Sequence, residues 1–194
     1  MDLSLASMNL IRIIACSFLM LAISPAKAFN AGVSHTLKAL HGDSLVLSDS
    51  VSQHQTDSLI NFALQYEGVP YRSGGTSKEG FDCSGFCSFV FKSFGMDLPR
   101  TSRDQSIIGK GIEFEDIRPG DLMFFKGSRS GTVGHVALVI RIEGDDIWMI
   151  HASSIRHRVV IDRYQDLGYY TTRYVGARRI IQSKEQQEVE LVED

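Results

Sequence analysis

Cysteine is scarce in this chain: Cys16, Cys83 and Cys87 are the only thiols among 194 residues. Three thiols supply no disulfide framework, so the fold has to rest on a core. Basic clusters are missing as well. The formal net charge is -3, and no Lys or Arg block offers an electrostatic footprint for nucleic acid or another anionic partner. The apolar run from Ile13 to Ile23 falls short of the roughly 20 residues a membrane span needs. There is no internal repeat, which excludes a solenoid. What remains, 43% apolar residues with 9% aromatics, suits one globular domain.

The two ends differ from the middle. Residues 1–28 read as a signal peptide: Arg12 supplies the positive charge, the run from Ile13 follows, and Ala26-Lys27-Ala28 is a small-x-small cleavage site. This predicts export to the periplasm or cell envelope, with no stable membrane span once the peptide is removed. Ile13-Ile14-Ala15-Cys16 also resembles the box before a lipidated cysteine, but Arg12 sits too close ahead of it, so cleavage after Ala28 is the favoured expectation. Residues 29–55, rich in Ser, His, Gly and Asp, read as a flexible leader. His35, His41 and His54 fall there without metal-ligand spacing, and no metal or organic cofactor is expected. Residues 183–194 form an acidic tail.

The segment 56–182 carries the pattern of a folded domain. Thr56 to Tyr66 has helical apolar spacing at Leu59, Ile60, Ala63 and Leu64, with Thr56 as a cap and Gly68 as a stop. Asp82 is placed to cap a second helix from about Cys83 to Phe94, which Gly95 ends. A short third helix starts at Thr101 or Ser102. After Pro119-Gly120 the period becomes that of strands: Asp121 to Lys126, His135 to Ile142, Asp146 to His151, Arg158 to Ile161 and Thr172 to Ile180. Helices first and an antiparallel sheet second predict an α+β fold, with N-terminal helices packed on five or six strands.

Cys83 is the candidate nucleophile. In the first turn of a helix it lies beside unpaired N–H groups and the positive end of the helix dipole, which favour the reactive thiolate and can also hold an oxyanion. A thiol lowered in this way is expected to alkylate fast near pH 6. A plain buried core cysteine is the competing reading, and for Cys87, one turn further on, it is the preferred one. A cysteine hydrolase also needs a base brought close in space. His135 opens one strand and His151 ends the next. Antiparallel pairing puts both at one end of the sheet. They share a face only if the connection holds three or five residues or an equivalent bulge supplies the parity. Cys83 then attacks a carbonyl, His135 accepts the thiol proton, and His151 orients His135.

Six segments, in order, resemble the NlpC/P60 cysteine peptidases: Pro70-Tyr71-Arg72-Ser73-Gly74-Gly75, Phe81-Asp82-Cys83-Ser84-Gly85-Phe86, Leu98-Pro99-Arg100-Thr101-Ser102, Pro119 to Phe125, Gly134-His135-Val136-Ala137 and Ile150-His151-Ala152. The resemblance implies a papain-like fold, a triad on Cys83, His135 and His151, and an enzyme acting on peptidoglycan stem peptides; a monomer is expected. It further implies Tyr71 pointing at the cleft, and Asp82 and Ser84 binding a stem-peptide amine. For Asp82 the plain capping role stands as an alternative, and for Ser84 mere close approach. Arg100 either anchors a loop or faces substrate, and Arg156-His157-Arg158 reads as a solvated basic loop in preference to a carboxylate site. The first choice of scissile bond is D-glutamyl–diamino acid, the second the D-alanyl cross-link. An acyl or amide transferase of the same chemistry and an inactive wall-binding protein are the other readings.

Overall fold

The computed structural model describes residues 50–127 and 131–182. The expectations for the signal peptide, the Cys16 box, the leader up to residue 49 and the acidic tail lie outside these residues. The first helix, α1, is helical from residue 50 to residue 64. It takes in residues 50–55, which the composition assigned to the leader. These residues contain no Gly or Pro to oppose a helix, and Gln53 Nε2 donates to Asp57 Oδ1 one turn on, at 2.9 Å. Thr56 therefore caps nothing. It sits within the helix, 8% exposed, with its side chain facing Gly120.

A minute hairpin follows, β1 (Thr76–Ser77) and β2 (Gly80–Phe81). Then come α2 (Cys83–Lys92) and α3 (Ser102–Gln105). Thr101 caps α3, its side chain accepting from Asp104 N at 3.2 Å. The strands β3 (Lys110–Ile112), β4 (Leu122–Lys126), β5 (Val133–Glu143), β6 (Asp146–Ser153), β7 (Arg158–Arg163) and β8 (Tyr174–Arg179) form one sheet, with α4 (Gly168–Thr171) before the last strand. The order is β3-β8-β4-β5-β6-β7, antiparallel throughout. The fold is α+β with a six-stranded main sheet. The sequence does not announce β3, because Lys-Gly-Ile has no alternation and little to bury.

The sheet is covered on both faces. Leu122 and Phe124 of β4 join Leu59 and Ala63 of α1 and Phe86, Val90 and Phe91 of α2 in one cluster. Met123 and Phe125 join Ala137, Val139, Met149, Tyr164 and Tyr170 in the other. Double coverage explains why β4 is apolar at consecutive positions. Each such side chain contributes about 1.5–3 kcal/mol on burial. Asp121, 1% exposed, pairs with Arg179 Nε and Nη2 at 2.8 Å each and ties the start of β4 to the end of β8.

The same packing fixes the start of α2. The carbonyl of Gly75 accepts from Asp82 N at 3.0 Å and lies so close to the helix that a Cβ on Gly85 would stand 2.0 Å from its oxygen. Gly85→Ala is expected to force the loop off the helix and lower unfolding free energy by about 2 kcal/mol or more. Urea denaturation measures this, and an unchanged midpoint would contradict it.

Candidate active site

Asp82 sets the geometry around Cys83. It is the N-cap of α2, in extended conformation, and accepts from Gly85 N at 2.7 Å. Its other donors are Gly74 N at 3.0 Å, Ser84 Oγ at 3.3 Å, and Arg100 Nη1 and Nη2 at 3.1 and 2.6 Å. A carboxylate offers about four lone-pair sites, so these donors saturate it. Arg100 is thus a loop anchor; it also donates to Ser84 Oγ at 3.0 Å. Ser84 is buried. With Arg100 in place the Asp82 carboxylate is filled by protein donors, while Ser84 Oγ, which donates to Asp82 and accepts from Arg100, keeps one acceptor lone pair.

Cys83 is half-buried at the head of α2. Its sulfur lies 4.0 Å from the carbonyl oxygen of Gly134, the residue before His135. Burial and the Asp82 carboxylate push the thiol above its ordinary range, while backbone N–H groups of Val136, Ser84 and Cys83 itself pull the other way. The net direction is opposite to the lowering expected from the helix terminus: burial first, and then the anionic cap Asp82, outweigh the N–H groups. Cys87 is fully buried, and burial raises its thiol well above the ordinary value. It is a packing residue.

The histidines meet as the sheet demands. Glu143 pairs with Asp146, so the β5–β6 turn holds only Gly144 and Asp145; Gly144 supplies its positive φ of 60°. A two-residue turn alone would separate the two rings. The register shift between Val139 and Arg141 restores the parity. His135 Nε2 lies 2.9 Å from His151 Nδ1. Tyr170 of α4 stacks on His135 at 5.2 Å between centroids and stands edge-on to His151 at 5.4 Å. Phe125 lies at 6.0 Å from His135. Burial in this aromatic setting, then the nearby His151, holds His135 well below the usual imidazole range.

Tyr71 is half-buried beside the same helix end. Burial, then Cys83 and Asp82, raises its phenol, so it stays a hydrogen-bond donor. Its backbone N donates to the carbonyl of His157 at 2.9 Å. His157 has the left-handed φ of 58°. Arg156 is no free basic residue: its Nη2 donates to Asp162 Oδ1 at 3.2 Å.

Asp162 is the site residue that sequence reasoning missed. His151, 0% exposed, places Nε2 at 3.2 Å from Asp162 Oδ2. In the β6–β7 register His151 pairs with Val160, so Asp162 is the diagonal neighbour on the same face. Extending the parity count by one strand was the available signal.

Three comparisons fit this geometry. The NlpC/P60 family pattern matches residues 68–179, more than half of the chain. A gamma-D-glutamyl-L-lysine dipeptidyl-peptidase of Bacillus cereus is 41% identical over 126 residues, covering 64% of this chain and 36% of that protein. The Escherichia coli protein named murein DD-endopeptidase MepS/murein LD-carboxypeptidase is 35% identical over 117 residues, 60% of this chain and 58% of that one. The chain thus spans from about a third to somewhat over half of these curated relatives. A crystal structure of an NlpC/P60 family protein from Bacillus cereus aligns with a TM-score of 0.60 at 40% identity, over 66% of this chain and 40% of that one. The helices-then-sheet order is the papain-like arrangement of such domains, and the chain belongs to the NlpC/P60 family.

Proposed function

We propose that the protein is an exported cysteine peptidase that hydrolyses an amide bond in peptidoglycan stem peptides. One observation carries the reading: a half-buried thiol at a helix start touches the strand residue next to His135, whose ring is hydrogen-bonded to a second, buried histidine. Cys83 Sγ forms a bond to the carbonyl carbon as His135 takes the thiol proton. The N–H groups at the head of α2 and the Tyr71 hydroxyl are the donors available to the oxyanion. The C–N bond breaks, and His135 returns the proton to the leaving amine. Water then attacks the thioester, giving up a proton to His135, and the thiol is restored.

The D-glutamyl–diamino acid bond remains the first choice, in keeping with the name of the Bacillus cereus relative. The D-alanyl cross-link is the second, in keeping with the Escherichia coli one. Export rests on the signal-peptide pattern of residues 1–28.

Digestion of purified muropeptides with mass analysis tests the reading. Wild type is expected to release defined stem-peptide fragments, and Cys83→Ala to lose at least about 10³-fold in rate; equal product profiles would refute the assignment of Cys83.

The pH dependence has a definite sign. A depressed His135 stays neutral, and able to accept a proton, below the ordinary imidazole value of about 6.5. A raised Cys83 thiol stays protonated above the ordinary value of about 8.5. The bell of kcat/KM is therefore expected to be wide, with its acid limb under about 6.5 and its alkaline limb over about 8.5. Iodoacetamide labelling of Cys83 is expected to be slow at pH 6 and to climb in the alkaline range. A fast phase at pH 6 would show a thiolate–imidazolium pair at rest instead.

A further inference from the structure

Beyond the pair of histidines, the hydrogen-bond chain continues into a carboxylate that the thiol chemistry above does not use. Asp162 lies on β7, its side chain 11% exposed, between His151 Nε2 at 3.2 Å and Arg156 Nη2 at 3.2 Å. The two contacts use different oxygens, Oδ2 for the histidine and Oδ1 for the arginine. We infer that Asp162, held by Arg156, is a positioning residue that fixes which ring nitrogen of His135 is free to take the thiol proton. The inference rests on the thiol-peptidase reading for its kinetic consequence only.

Contact with His151 and the Arg156 charge hold the Asp162 carboxyl below the usual carboxylate range, so near neutral pH Oδ2 can only accept. His151 Nε2 must then carry the proton. A His151 that holds one ring proton, on Nε2, presents a lone pair at Nδ1. His135 Nε2, 2.9 Å away, must donate to it. That leaves Nδ1 of His135 as the bare nitrogen, the one not engaged by His151. The imidazolium formed when His135 accepts the thiol proton keeps both hydrogen bonds and faces a negative charge two bonds away, across His151. The other groups around the rings do not compete. Tyr170 from α4 stays protonated, raised by burial and Asp162, with its hydroxyl engaged by Ser153. Phe125 from β4 is apolar, and Cys83 from α2 is the proton source.

Arg156 makes the arrangement strict. With Asp162→Asn, the guanidinium requires an oxygen at the Oδ1 position, so the amide nitrogen is forced to the Oδ2 position against His151 Nε2. That nitrogen is a donor. His151 must then accept at Nε2 and carry its proton on Nδ1, His135 must accept at Nε2, and its proton moves to Nδ1. The base becomes blocked by its own hydrogen. Removing Arg156 as well frees the amide to rotate and present its oxygen to His151.

Three measurements decide the matter. Asp162→Asn is expected to lower kcat on muropeptides by on the order of 10²–10⁴-fold with KM nearly unchanged. The double variant Arg156→Ala/Asp162→Asn is expected to recover at least about tenfold of that loss, a gain that a merely structural role for Asp162 would not give. Nitrogen-15 ring signals of the unaltered protein are expected to show protonated Nε2 and bare Nδ1 on both His135 and His151 at neutral pH. Wild-type kcat in Asp162→Asn, a double variant no faster than the single one, or the opposite ring protonation would each overturn the proposal. If the unaltered protein cuts no muropeptide, the peptidase reading falls, while the ring signals still decide the tautomers.

Discussion

The Asp82 carboxylate gathers hydrogen bonds from three stretches of chain that are distant in sequence: the Gly74–Gly75 loop, the first turn of α2, and Arg100 ahead of α3. Everything at the reactive end is referenced to that one group. It ends the backbone's extended run at residue 82, satisfies an orphan N–H of the helix, and fixes the loop whose carbonyl packs against Gly85. Cys83 is the next residue, so its place at the helix head follows directly. The surrounding aromatic core then sets the direction of the helix against β5 and β6.

The organising group has an electrostatic consequence for its neighbour. Burial raises the Cys83 thiol most, and the carboxylate at the helix head adds to it by offsetting the dipole that would otherwise favour a thiolate. The raised thiol and the depressed His135 both favour a neutral thiol beside a neutral imidazole before attack. Activation then depends on proton transfer during attack, and so on the quality of the base. The structure invests in that base: one ring face stacked by Tyr170, one nitrogen held by a buried His151, and that histidine in turn held by Asp162. A carboxylate, which a neutral imidazole in third place lacks, enters one residue further out.

Much of this was legible in sequence because it depends on periods. The alternation of strands and the requirement that His135 and His151 share a face led to a choice between an odd loop and a bulge, and the bulge beside Ile140 is what the chain uses. The helix start at Asp82 was legible from capping chemistry. What escaped was of two kinds. Residues 50–55 look polar and loop-like, yet nothing in them resists a helix once Leu59, Ile60 and Ala63 are packed. Asp162 escaped, and Arg100 stayed open between loop anchor and substrate contact, because their partners are set by tertiary register: Arg100 reaches a cap eighteen positions back, and Asp162 reaches His151 only diagonally across β6 and β7.

The turn between β6 and β7 joins two parts of the site that sequence keeps apart. Its Arg156 side chain grips the carboxylate behind the histidines, and its His157 carbonyl, presented by a left-handed backbone, receives the N–H of Tyr71. Surface hairpin turns ordinarily tolerate insertion and drift in length. This one is not free to do so: one added residue would shift the arginine off its anchor and the carbonyl off the tyrosine loop together. Length variation in descendants of this chain should therefore concentrate elsewhere on the surface, leaving residues 154–157 at constant spacing.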